Sequence, residues 1–219
     1  MQTINQIRHK FANLLANNDY IIDKTGAKTI EIIAAHFDAD QPSIFGIPNV
    51  DYINREIQWY ESCSTNIKDI PGEIPKIWSQ IADRDGEINS NYGFLIYSDE
   101  YHNQYNQVVS ELLHNRLSRR AVMIYTRPEI WNQYDLNGRN DFICTNTVQY
   151  FIRNDMLHVS VQMRSNDAVF GYKNDYAWQR HVQKRLCNDL NVKLGKIYWT
   201  VGSLHVYERH FHLIGETHV

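Results

Sequence analysis

Three cysteines in 219 residues, Cys63, Cys144 and Cys187, are odd in number and too scattered for a disulfide framework or a Cys-x-x-Cys metal site. That scarcity implies a reducing compartment. No run of lysine or arginine builds a basic stripe, and a formal net charge of -3 gives no general attraction to phosphate polymers. Stable binding to nucleic acid is therefore not expected. The chain has no apolar run of the ~18 residues that a membrane span needs, and Met1-Gln2-Thr3-Ile4-Asn5 lacks the charged-then-apolar pattern of an export leader. The expectation is a cytoplasmic protein without a membrane segment. Internal repeats, low-complexity tracts and linkers are also missing, so a single domain over residues 1–219 is expected. Hydrophobic residues at 43% and charged residues at 21% suffice for a packed core.

Thr3 and Gln6 form a capping-box pattern, and Ile4, Ile7, Phe11, Leu14 and Leu15 follow at helical spacing. A turn-rich, basic loop from Asp23 to Thr29, a candidate anion site, leads into a strand-like run from Ile30 to Ala34. Residues 50–60 read as a helix with Ile53, Ile57 and Tyr60 on one face, and Glu56 lies inside that stripe. Strands are expected over Arg120–Thr126, Thr145–Arg153, Met156–Ser165 and Ile197–Val201, with a long helix from Asn174 to Leu190 capped by Asn174 or Asp175. The class is α+β, one large sheet buried by helices. Asn154-Asp155 between two strands suggests a two-residue hairpin, and that register sets Cys144 opposite Ser165 and Thr145 opposite Arg164.

Each candidate has an ordinary reading beside its chemical one. Cys144 is either a small buried hydrophobe or, with Arg164 favouring the thiolate, a nucleophile. Glu56 is either a helix-surface carboxylate or a desolvated proton carrier with a raised pKa. Arg119-Arg120 reads as a solvated charge pair or as two guanidinium forks for a phosphate. Asp175 reads as a helix cap, and His205 and Tyr207 share one strand face. His210-Phe211-His212 lacks a third ligand at metal spacing, so no metal is expected.

Cys144-Thr145-Asn146-Thr147-Val148-Gln149-Tyr150, followed by Arg164-Ser165-Asn166-Asp167 and Gly171, resembles the signature of the thymidylate synthase family in order and spacing. Glu56-Ile57-Gln58-Trp59-Tyr60, Trp78, Tyr92-Gly93, Ser118-Arg119-Arg120 and Gly202-Ser203-Leu204-His205-Val206-Tyr207 fall at further family positions, so the likeness covers nearly the whole chain. Asp23-Lys24-Thr25-Gly26, residues Gly86 to Gly93 and Asn174-Asp175-Tyr176-Ala177-Trp178 resemble the family branch, found in bacteriophages, that hydroxymethylates dCMP. Three positions depart from the synthase pattern: Thr145 replaces a histidine, Met163 a glutamine and Lys24 an arginine.

The resemblance implies a mixed-sheet fold and covalent attack by Cys144 on C6 of the pyrimidine, with the one-carbon unit taken from 5,10-methylenetetrahydrofolate. It implies Glu56 and Asp175 as the other catalytic residues. Lys24, Arg119, Arg120, Arg164, Ser165, Asp175, His205, Tyr207 and Tyr92 would hold nucleotide, and Trp78, Asp167 and Gly171 the folate. It further implies a homodimer in which Arg119 and Arg120 serve the partner's site. Asp175 stands where the synthases carry asparagine, and a carboxyl matches the donors and acceptor of cytosine where an amide matches uracil. A thymidylate synthase methylating dUMP, or a non-catalytic nucleotide- or RNA-binding relative, are the alternatives.

Overall fold

The computed structural model describes residues 1–22 and 26–215, so Lys24 lies outside the described residues. In chain order the elements are helix α1 (Ile4–Ala16), strands β1 (Ile21–Ile22) and β2 (Lys28–Asp38), and helices α2 (Val50–Glu61), α3 (Lys76–Ile81), α4 (Tyr92–Tyr97) and α5 (Gln104–His114). Then come β3 (Val122–Ile124), α6 (Ile130–Gln133), β4 (Thr145–Arg153), β5 (Met156–Asp167), α7 (Gly171–Leu190), β6 (Lys193–Tyr207) and α8 (Phe211–Gly215). They group into two compact units, one of residues 1–48 with 155–219 and one of residues 49–154.

In the first unit β1 pairs antiparallel with β2, β2 antiparallel with β6, and β6 parallel with β5. Parallel neighbours need a crossover, and α7 supplies it. Its Trp178, Val182, Leu186 and Leu190 are buried at helical spacing, as expected from the sequence. On that face the buried Gln183 amide is paired, its Nε2 donating to the carbonyls of Leu157 at 2.7 Å and Gly195 at 3.2 Å. The capping box is present as expected: Gln6 N–H donates to Thr3 Oγ1 at 3.3 Å and Thr3 N–H to Gln6 Oε1 at 2.9 Å. Strand β6 spans Lys193–Tyr207, three times the length of the expected Ile197–Val201. Gly195 and Gly202 masked its ends in the sequence, where glycine weakens a strand pattern. Here they allow close approach: a Cβ at Gly202 would lie 2.7 Å from the Arg164 carbonyl oxygen, and one at Gly195 2.6 Å from that of Leu157.

In the second unit α2 carries an Asn49 cap, whose side chain accepts from Tyr52 N–H at 3.0 Å. Its buried residues are Glu56, Trp59 and Tyr60, so the inward face is turned from the expected Ile53–Ile57–Tyr60 stripe. Helix α4 packs on its end so closely that a Cβ at Gly93 would lie 1.7 Å from the Tyr60 carbonyl oxygen. Strand β4 has the expected bounds, whereas β3 is cut to three residues and pairs antiparallel with β4. Asn154 and Asp155 have φ of 50° and 58°, the left-handed pair that a two-residue hairpin turn requires.

Candidate active site

The second unit builds its site around a buried carboxyl. Glu56 is 5% exposed. Tyr52, one turn earlier on α2, donates its hydroxyl hydrogen to Glu56 Oε1, and Trp78 Nε1–H donates to Tyr52 Oη at 2.8 Å. Burial pushes the Glu56 carboxyl up to about 7, and the hydrogen bonds from Tyr52 and Trp78 oppose that rise. Desolvation and the adjacent Glu56 raise the Tyr52 phenol, so it stays a donor. Trp59 packs edge-on against Trp78 with ring centroids 5.0 Å apart, which fixes both indoles. The surface reading of Glu56 is thereby excluded, and the group is poised to exchange a proton near neutral pH.

Cys144 lies immediately before β4, half-buried and not disulfide-bonded, with Sγ 3.8 Å from the Phe142 carbonyl oxygen. Its loop is anchored by Asp141, which accepts the backbone N–H groups of Asn89 at 2.6 Å and Ser90 at 2.8 Å. Thr145, fully buried after the cysteine, donates to Tyr92 Oη at 3.0 Å. Tyr92 is itself wedged between Tyr60 at 5.4 Å and Tyr125 at 5.2 Å. Arg119 and Arg120 are exposed. Arg119 offers its carbonyl to Gln149 Nε2 at 2.7 Å, and the Arg120 side chain, 85% exposed, lies 3.8 Å from Glu111. These contacts join neither arginine to Glu56, Trp78 or Tyr92.

The first unit gathers another set at the C-terminal end of β5. In the parallel ladder Ser165 pairs with Ser203 and Asp167 with His205, while Gly202 lets the Arg164 backbone press against β6. His205 and Tyr207 alternate onto one face with ring centroids 5.0 Å apart. Asp167 Oδ1 accepts the N–H groups of Val169 at 2.7 Å and Phe170 at 3.4 Å. That turn starts α7 at Gly171, a full turn earlier than expected, and the capping reading of Asp175 is wrong. Asp175 is interior to the helix, where its Oδ2 accepts from Asn166 Nδ2 at 2.7 Å. Two contributors escaped the sequence reading. Tyr52 was detectable as the i–4 neighbour of Glu56, whereas nothing in a linear pattern links Asn166 to Asp175. No His, Cys, Asp or Glu cluster among the described residues is fit to hold a metal, and no helix among them is long and apolar enough to cross a membrane.

An α+β chain with a mixed sheet and these residues in this order defines a class. The thymidylate synthase family model matches residues 6–218, and the chain belongs to the thymidylate synthase family. A deoxycytidylate 5-hydroxymethyltransferase from Enterobacteria phage T4 is 52% identical over 230 aligned positions, covering 99% of this chain and 94% of the relative. The thymidylate synthase of Bacillus subtilis subsp. natto is 26% identical, over 86% of this chain and 70% of its own. Among solved structures, thermostable thymidylate synthase A from Bacillus subtilis superposes with a TM-score of 0.72 at 21% identity, covering 98% of this chain and 83% of that one. The expected fold is thus the observed one.

Proposed function

We propose that the protein transfers a one-carbon unit from 5,10-methylenetetrahydrofolate to C5 of dCMP, with addition of water, giving 5-hydroxymethyl-dCMP and tetrahydrofolate. The observation that carries the reading is the 52% match, over nearly both full lengths, to an enzyme named for that reaction. In this reading the two units act as one catalytic domain, and the Cys144 thiolate attacks C6 of the pyrimidine so that C5 becomes the nucleophile. Asp175 accepts from the 4-amino group and protonates N3. Glu56, near neutrality in its pocket of Tyr52 and Trp78, exchanges protons with the substrate through ordered water. Arg164 and Ser165 take the 5'-phosphate, His205 and Tyr207 the sugar, and Tyr92, whose hydroxyl oxygen accepts from Thr145 beside the nucleophile, is a further nucleotide contact.

The folate supplies carbon at the methylene level of oxidation. Asp167 keeps Oδ1 for the α7 turn, and its second oxygen suits the N–H donors of a pterin; Gly171 and Trp78 are proposed for the folate on the family likeness. The exposure of Arg120 suits a role in the partner's phosphate site within a homodimer, and Lys24 is proposed for the phosphate on the family likeness alone. An assay with dCMP, CMP or dUMP plus methylenetetrahydrofolate tests the reading. The expected products are hydroxymethylated dCMP and tetrahydrofolate; methylated dUMP with dihydrofolate would replace it by a synthase.

A further inference from the structure

Asn166 is the penultimate residue of β5, paired with Leu204 of β6 and 4% exposed, so its side chain starts from a fixed backbone. Its Nδ2–H meets Asp175 Oδ2 at 2.7 Å, whereas its Oδ1 is buried without a hydrogen-bond partner among the described residues. Buried amide groups are as a rule hydrogen-bonded. This one is committed at the end that faces Asp175. The meeting also needs an empty place: a Cβ at Gly171 would lie 2.9 Å from Asn166 Nδ2 and 3.6 Å from Asp175 Oδ2.

Cytosine asks two different things of one carboxyl, an acceptor for its 4-amino group and a proton for N3. The two oxygens must therefore be told apart. An N–H fixed on Oδ2 favours negative charge there and leaves the proton on Oδ1. We propose that Asn166 is a positioning residue for base recognition, holding Asp175 Oδ2 as the acceptor so that Oδ1 carries the proton for N3, with Gly171 keeping the space in which they meet. The proposal rests on the reading that Asp175 faces the pyrimidine. As the Cys144 sulfur bonds to C6, the C5–C6 π pair shifts to C4–C5 and the C4–N3 pair to N3. N3 takes the Oδ1 proton, and the carboxylate left behind is held by the Asn166 N–H.

The test is a double-mutant cycle of Asn166→Ala and Asn166→Asp, each in the wild-type and the Asp175→Asn background. Turnover of dCMP and dUMP, nucleotide binding by calorimetry and thermal melts are read for every variant. With Asp175 present, Asn166→Ala lowers the dCMP to dUMP ratio of kcat/KM by about tenfold, through kcat on dCMP, because one charge-assisted donor is lost. Asn166→Asp keeps the shape, has no N–H to give and lowers the ratio further. In the Asp175→Asn background both changes move the ratio by less than about twofold, since the group they act through is gone. Equal shifts in the two backgrounds, or a lowered melting temperature with an unchanged ratio, overturn the proposal. A wild type that turns over no dCMP sinks the substrate reading separately. Asn166 is then judged on binding of whichever nucleotide the protein takes: coupling to position 175 supports it, and its absence overturns it.

Discussion

Glu56 shows how one side chain couples stability to function. Its carboxyl titrates at about 7 in the folded chain against an ordinary value of 4.5, because burial removes water from the charged form. At pH below 4.5 the group is protonated in both states and costs nothing. Between 4.5 and 7 the unfolded chain has lost a proton that the folded chain keeps, so stability falls as pH rises through that window. The full penalty, about 3 kcal/mol, stands above pH 7. Glu56→Gln keeps an acceptor for Tyr52 and removes the titration, so it should match wild type near pH 4.5 and exceed it by up to ~3 kcal/mol at pH 8. Urea unfolding across that range measures the difference. A gap independent of pH would mean that Glu56 is not the buried acid described.

At the scale of elements, close backbone approach accounts for much that the sequence hid. Gly93 sits where α4 meets the Tyr60 carbonyl, and no rotamer can relieve a Cβ 1.7 Å from a backbone oxygen. Gly93→Ala should therefore destabilise the fold by about 3 kcal/mol or more, at the upper end of what overpacking costs, seen as a lowered melting temperature. A melt within a degree of wild type would place α4 elsewhere. The same geometry explains which elements could be read in advance. Helix α7 was legible from Trp178, Val182, Leu186 and Leu190 because its packing obeys a 3.6-residue period. Its start was not, because Asp167, eight residues before Asp175, takes the loop N–H groups and begins the helix early. The inner face of α2 was off by one position because a buried Glu56 carries no apolar signal. The ends of β6 were hidden by glycines placed for contact with a neighbouring strand.

For the whole molecule, order along the chain made the candidate site readable where periodicity could not. The hairpin register related Cys144 to Arg164, but no local rule relates Glu56 or Asp175 to that pair; the family order is what proposes all four for one site. If the phosphate site is completed by a second copy, mixing inactive Cys144→Ser protein with inactive Arg120→Ala protein should restore activity. Random exchange leaves one intact site in each heterodimer, so about a quarter of wild-type activity per subunit is expected. Verified exchange without recovery would confine the site to one chain.

The central claim is that a carboxyl at position 175 makes the protein read cytosine. Its most direct measurement is the ratio of kcat/KM for dCMP over dUMP in wild type and Asp175→Asn. The amide loses one match to cytosine and gains one to uracil, so the ratio should fall by about 10² or more, with the loss on dCMP exceeding the gain on dUMP. Asp175 is interior to α7, so no lost cap can mimic the effect. A ratio unchanged by the substitution, with the melt also unchanged, would contradict the claim.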